Sequence, residues 1–312
     1  MKRSDVIWTV VGLLAIALSS YLLFQEIRHI SLAELETSLL AIPHHNWVLA
    51  VLSMVGAYAA LAYYDRIAIL HLGKKVSWWF ITFCSFTTYA LAHNIGASVI
   101  SGAVVRYRAY TKKGLSGTEV GMLVVFCSLT FALGVLVASG AVLLFQPDIL
   151  DRLFDAPHWL GRIIGVVLIA VVALYLYGAL RGHQPWKFRR WTISYPQASI
   201  LLRQLIAGPL ELACAASIIY FALPEATNPG FWIVFGAFLA SFTLALLSHA
   251  PGGLGVLEVT FLAALPEVPT SDVLAALIVF RVLYLLVPFA IAILIVLLFE
   301  LSQWRRKHSE VS

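Results

Sequence analysis

Pro251-Gly252-Gly253-Leu254-Gly255-Val256-Leu257-Glu258 interrupts an apolar region that runs from about Phe231 to Leu265. A proline and three glycines in eight residues break any helix that carries them. A carboxylate follows at once, and then more apolar sequence. Inside a bilayer, unwound backbone is tolerated only where protein buries it or it lines a wet cavity. A carboxylate at that depth is a site hypothesis by default. The stretch therefore reads as the bend of a membrane hairpin, with Glu258 in the first turn of the half-helix leaving it. The competing reading is a short surface loop between two ordinary spans, with Glu258 facing water.

The rest of the chain agrees with a membrane setting. Of its 312 residues 61% are hydrophobic and 12% charged, with a mean hydropathy of +0.90. Soluble domains carry about 25% charge. The fold class expected is an all-α polytopic membrane protein, one transmembrane domain over residues 1–312 with no soluble domain. Candidate segments of about 20 apolar residues are Val6–Phe24, Trp47–Tyr64, Trp78–Val105, Val120–Phe145, Leu160–Leu180, Ala198–Leu223, Phe231–Leu265 and Val273–Leu301. Trp8, Trp47, Trp78, Trp79, Trp159, Trp232 and Trp304 sit near their ends, as interfacial anchors do. Met1-Lys2-Arg3 and Ala15-Ile16-Ala17 resemble a signal peptide with its cleavage pattern, but the apolar run continues through Leu23 and Phe24, which suits an uncut first span.

Charge sets the expected topology. If all eight segments crossed once, the basic loops Arg106–Lys113 and Arg181–Arg190 would lie outside and the acidic Asp148–Asp155 loop inside, against the positive-inside rule. Two re-entrant hairpins of opposite orientation, about 78–105 and 231–265, remove the conflict. Six full crossings then leave 16 of 21 basic residues in the cytoplasm, with both termini there. Opposed broken hairpins are the mark of inverted-repeat transporters, whose sites lie near the midplane. In the first hairpin His93-Asn94-Ile95-Gly96 carries the break, Asn94 and Gly96 being its polar and flexible members. Gly102 reads equally as part of that break or as a helix-packing residue.

Four ionisable residues resist placement in loops: Arg203, Glu211, Glu258 and Arg281. Their charges sum to zero, and in a bilayer they need one another or a cavity. Arg203 is near enough to its helix start to snorkel. Glu211 follows Gly208-Pro209, which should kink its helix. Arg281 lies deeper, shares a face with Tyr284, and has Pro288 a turn beyond it. Glu258 is its natural resting partner. With the positive end of the half-helix after Gly255, Arg281 makes a pocket suited to an anion. His93 and His249 each precede a bend and read as proton relays or as hydrogen-bonded caps. Cys84, Cys127 and Cys214 lie in apolar segments and read as buried small hydrophobes, with no disulfide and no metal site. No cofactor motif, Walker loop, HExxH or nucleophile elbow occurs.

At these residues the chain resembles a known family. Pro251–Glu258, followed by Phe280-Arg281-Val282-Leu283-Tyr284, is similar to the signature of YbhN-type proteins and of the flippase-like transmembrane region of lysylphosphatidylglycerol synthetases. The segment from Asn94 to Arg106, with Gly96, Gly102, Tyr107 and the Lys112-Lys113-Gly114-Leu115 turn, resembles the family's first half. The resemblance implies translocation of a polar-headed lipid across a bacterial inner membrane. The residues expected to line the lipid path, from these motifs and from the charges left inside the membrane, are Pro251, Gly252, Gly253, Gly255, Glu258, Arg281, Tyr284, Asn94, Gly96, Arg106 and Glu211. No aminoacyl-transferase domain follows before Ser312, so lipid synthesis is not expected and the cargo need not be lysyl-phosphatidylglycerol. The expected partner is a phospholipid or a polyprenyl phosphate, with a homodimer left open and no nucleic acid. Two other readings stand beside it: an intramembrane lipid-modifying enzyme using Glu258 as base and Arg281 as phosphate clamp, and a non-transporting envelope scaffold.

Overall fold

The computed structural model describes residues 32–95, 98–181, 186–188, 191–193, 197–248 and 255–309. The first expected span, Val6–Phe24, lies outside these residues, as do Gly96, His249 and Pro251–Leu254. The described chain is helical apart from one two-stranded ribbon. It runs α1 (Leu32–Leu40), α2 (His44–His71), α3 (Trp78–Ile95), α4 (Ser98–Tyr110), a 3-10 turn (Thr111–Lys113), α5 (Gly117–Phe145), α6 (Ile149–Phe154) and α7 (His158–Leu180). The ribbon β1 (Trp186–Phe188) and β2 (Trp191–Ile193) pairs antiparallel, Lys187 opposite Thr192. Then come α8 (Ala198–Ala222), α9 (Phe231–Ser248), α10 (Val256–Ala264), α11 (Thr270–Phe280), a π-helical segment (Arg281–Leu286) and α12 (Val287–Ser309).

Among the described residues, five helical stretches are long and apolar enough to cross a membrane: α2, α5, α7, α8 and the run Thr270–Leu298. The outside of the bundle is apolar too. On α7, Ile163, Val166, Val167, Val171, Leu174 and Leu180 are all exposed, a face far larger than soluble monomers leave uncovered. Trp79 and Trp159 stand exposed near helix ends, as expected of anchors.

Two helix pairs have short second arms. The second arms, α4 with 13 residues and α10 with 9 residues, reach only roughly 20 Å and 14 Å, short of a hydrocarbon core. Each packs against its own first arm, α4 on α3 and α10 on α9. The ends of each pair lie together. Lys74, ahead of α3, bridges Glu119, beyond α4, at 2.8 Å, and the Lys113 ammonium sits over the Phe80 ring. Thr227, ahead of α9, donates to Asp272 at the start of α11. The base of the first pair is thus at the start of α5. The base of the second is at its far end, where Phe145 packs on Trp232 and Arg152 binds both the Ala264 carbonyl and Glu267. The two hairpins therefore point into the bundle from opposite ends of a helix of 29 residues.

The two halves repeat in register. The hairpins begin at Trp78 and Phe231, 153 residues apart, and the helices after them begin at Gly117 and Thr270, again 153 apart. The halves interlock: α2 packs along α8, α3 packs on α12, and α9 packs on α5. The tightest crossing is α5 on α8. A Cβ on Gly208 would lie 2.5 Å from the Gly134 Cα, so only glycine on both sides permits the approach. Gln204 donates to Thr130 across the same contact at 2.8 Å. Gly102 belongs to helix packing, since α4 runs through it unbroken and a Cβ there would meet Thr88 at 3.1 Å. Pro209 is carried inside α8, which is assigned as one helix of 25 residues.

Two measurements check this architecture. Gly208→Ala should lower stability by at least about 1–3 kcal/mol through overpacking, read by thermal unfolding in detergent, whereas Gly121→Ala, with nothing within 4 Å of the new methyl, should be neutral or slightly stabilising. Single cysteines at Lys112 and Asp272, in a cysteine-free background, should react with impermeant thiol reagents from opposite membrane faces; labelling of both from one face contradicts the opposed hairpins.

Candidate functional site

The second hairpin arm begins at Gly255, whose φ of 78° favours glycine. Glu258 lies at the third position of α10 and folds back over the helix start, its Oε2 accepting the Gly255 N–H at 2.8 Å. This satisfies one orphan donor and sets a negative charge on the positive end of the helix. The other oxygen, Oε1, takes Arg281 Nε at 2.7 Å and lies 2.6 Å from Arg281 Nη2. Glu258 is only 7% exposed. The pairing expected from sequence thus forms, and one carboxylate joins a hairpin tip to the interior of the last membrane-spanning stretch.

Arg281 opens the π-helical segment, a local widening common at functional sites. Pro288, just beyond that segment, leaves a carbonyl without its helical donor. It has no N–H to give a carbonyl of the preceding turn. Tyr58 on α2 donates its hydroxyl to the Tyr284 carbonyl at 3.0 Å. Asn94, at the tip of the first hairpin, donates to the next carbonyl, Leu285, at 3.1 Å and also to Ala90 at 2.9 Å. Both hairpin tips therefore dock on one segment, Asn94 on its Leu285 carbonyl and Glu258 on its first side chain.

Tyr284 sits at the centre of the cluster. Its ring packs on Phe280, His93 and Tyr58, and its hydroxyl donates to Glu211 Oε1 at 2.7 Å. Glu211 on α8 is 3% exposed. Tyr64 donates to the Gly208 carbonyl one turn before it. His93 is stacked on Tyr284 within the last turn of α3, and its Nδ1 makes no hydrogen bond among the described residues. The structure thus gathers Glu258, Arg281, Tyr284, Glu211, Asn94, His93 and Gly255. Arg203 is exposed on α8, the snorkelling position. The expected bend residues Pro251, Gly252, Gly253 and Gly96, and the second histidine, His249, lie outside the described residues.

Arg106 requires a correction. Sequence counted it among the basic residues of a loop, but α4 continues to Tyr110 and Arg106 is 4% exposed. Its Nε and Nη2 clasp the two oxygens of Asp65 at 3.2 and 2.7 Å. Asp65, fully buried, also accepts from the Tyr110 hydroxyl at 3.0 Å and from Cys127 Sγ at 3.4 Å. Cys127 is therefore a donor as well as a packed apolar group. The Arg106 guanidinium lies over the Tyr89 ring, and Tyr89 in turn packs on His93. A second ion pair thus abuts the central cluster through an aromatic ring. Sequence reasoning missed Asp65 by ending its span at Tyr64. The available signal was the apolar run on both sides, Leu61–Tyr64 and Ile67–Leu70, which keeps Asp65-Arg66 inside the helix. Among the described residues no group of three His, Cys, Asp or Glu side chains is placed to hold a metal ion.

A helical multi-pass membrane protein, with two helix pairs meeting over buried ion pairs, is the class these observations define. Comparison with known families is consistent with it. Residues 10–292 match the family described as the lysylphosphatidylglycerol synthase TM region, and the chain belongs to that family. It is 30% identical over 256 residues to the uncharacterized protein slr0712 of Synechocystis, covering 82% of this chain and 80% of that one. It is 29% identical to the inner membrane protein YbhN of Escherichia coli, with 80% of each chain covered. A phosphatidylglycerol lysyltransferase of Staphylococcus haemolyticus matches at 26% identity over 93% of this chain but only 34% of its own length.

Removing one partner of the Asp65–Arg106 pair strands a buried charge. Asp65→Ala should cost about 3–5 kcal/mol, and Asp65→Leu with Arg106→Leu should recover part of that loss, because the pair's own desolvation cost is removed with it. Thermal unfolding of the single and double variants reads the difference.

Proposed function

We propose that this protein binds the phosphate of a polar-headed membrane lipid at Arg281 and carries that lipid across a bacterial inner membrane. One observation carries the reading. The Glu258 carboxylate lies at the point where the Arg281 guanidinium and the amide of Gly255 at a half-helix start converge. Such a junction is an anion site, and in the resting protein its anion is the protein's own. A lipid phosphate that takes the carboxylate's place releases the second hairpin tip from Arg281. Binding and hairpin movement are then one event, as alternation of access requires.

The membrane setting and the family support a lipid as ligand. The relative with a lipid named in its own description is the lysyltransferase, and this chain aligns with about a third of it. The lipid here is a phospholipid or a polyprenyl phosphate, since the chemistry recognised is a phosphate on an apolar anchor. The location proposed is that named for the Escherichia coli relative, the inner membrane.

The test is movement of fluorescent phospholipids between leaflets of reconstituted liposomes, normalised to folded protein. Arg281→Lys keeps the charge but not the planar fork, and should lower the rate more than about tenfold. Glu258→Gln keeps the shape and leaves Arg281 without its counter-charge, and should insert normally yet move little lipid. Wild-type rates in both variants contradict the phosphate site, and a chemically altered lipid in the extract would indicate an enzyme instead.

A further inference from the structure

We infer that Glu211 is a proton-binding site and that the proton is the coupling ion for lipid movement. The inference rests on the lipid-translocating reading and adds to it the source of energy. Its first support is charge accounting inside the bundle. Glu258 is matched by Arg281 and Asp65 by Arg106. Among the described residues no lysine, arginine or histidine lies within ion-pair distance of Glu211. Its second support is hydrogen bonding. Tyr284 donates to Oε1, and the Tyr64 hydroxyl, bonded to the Gly208 carbonyl, lies beside the carboxyl, while Oε2 is buried and makes no hydrogen bond of its own among the described residues. A charge on a carboxyl buried this way would stand uncompensated, at a cost the two ion pairs avoid.

The surroundings are polar but not cationic. α2 presents Tyr58 and Tyr64 near Glu211, and α8 itself contributes Cys214. From α5 the titratable group on this side is Cys127, already bonded to Asp65, beyond Tyr64. The π-helical segment presents Tyr284, with His93 of α3 stacked behind it. α9 holds no ionisable residue, and the one on α11, Asp272, is in its first turn. Glu211, with His93 behind Tyr284, is thus placed to exchange a proton while both ion pairs stay formed.

Coupling arises from shared structure. Arg281 and Tyr284 belong to the same six-residue π-helical segment. When a phosphate draws Arg281 away from Glu258, the segment that carries the Tyr284 hydroxyl shifts with it, and the bond to Glu211 changes. The chemical step is proton transfer alone: the Glu211 O–H is broken toward water on one side of the membrane and reformed from water on the other. No bond of the lipid changes.

Two experiments decide it. In detergent at neutral pH, infrared difference spectra should show the carbonyl stretch of a protonated carboxylic acid in the wild type, absent from Glu211→Gln; the same band at equal strength in that variant overturns the assignment. In proteoliposomes carrying a fluorescent phospholipid, a gradient of one pH unit should sustain a leaflet asymmetry approaching about tenfold per proton, inverted when the gradient is inverted. Glu211→Gln, confirmed folded by thermal unfolding, should leave the lipid evenly distributed. Tyr284→Phe retains the carboxyl but removes its donor, and should displace the pH of half-maximal rate; an unchanged pH profile argues against the site. Wild-type movement that equilibrates the lipid whatever the gradient overturns proton coupling and leaves lipid translocation standing. No wild-type movement at all overturns both.

Discussion

Water is absent from the hydrocarbon interior, so every polar group carried there must find its partner within the protein. The rest of this structure depends on that constraint. Among the described residues, two cations inside the bundle are each held by a carboxylate from a different helix, Arg281 by Glu258 and Arg106 by Asp65. Each carboxylate uses its remaining capacity on the local fold: Glu258 on the Gly255 amide, Asp65 on Tyr110 and Cys127. Ion pairs of this kind add little net stability, because desolvating both charges offsets most of their attraction. What they supply is position. A hairpin tip bound through a charge has one place to sit.

The same constraint explains the π-helical segment. Widening the helix and placing Pro288 after it disturb the carbonyl ladder, a costly defect in lipid. Here the carbonyls of Tyr284 and Leu285 become docking points for Tyr58 and Asn94. The backbone irregularity of the last membrane-spanning stretch is thereby the surface on which the first hairpin closes. The second hairpin is tied to the same segment through Arg281. Both tips are thus tied to one stretch of six residues.

Much of the architecture was legible in the sequence because apolar length, break residues and loop charge each report on the membrane directly. Pro251–Glu258 marked a half-helix, and α10 does begin at Val256 with Glu258 in its first turn. The pairing of Glu258 with Arg281 followed from the cost of isolated charge. Arg106 and Asp65 were misplaced because a charge at a segment end looks the same whether it faces water or a partner, and only the partner's position tells them apart. Gly102 was undecided for a similar reason, since helix break and close packing use the same residue.

The sequence by itself determined which segments are apolar enough to cross, where helices must break, and how much charge has to be neutralised inside. These are properties of composition and local backbone chemistry. Which groups neutralise which was decided by tertiary structure alone. Tyr58 reaches Tyr284 over 226 residues of chain, Tyr284 reaches Glu211 over 73, and Arg106 reaches Asp65 over 41. No local pattern encodes such contacts. They exist because two interlocked halves bring opposed hairpins to one place in the bundle, where unpaired polar groups have only each other.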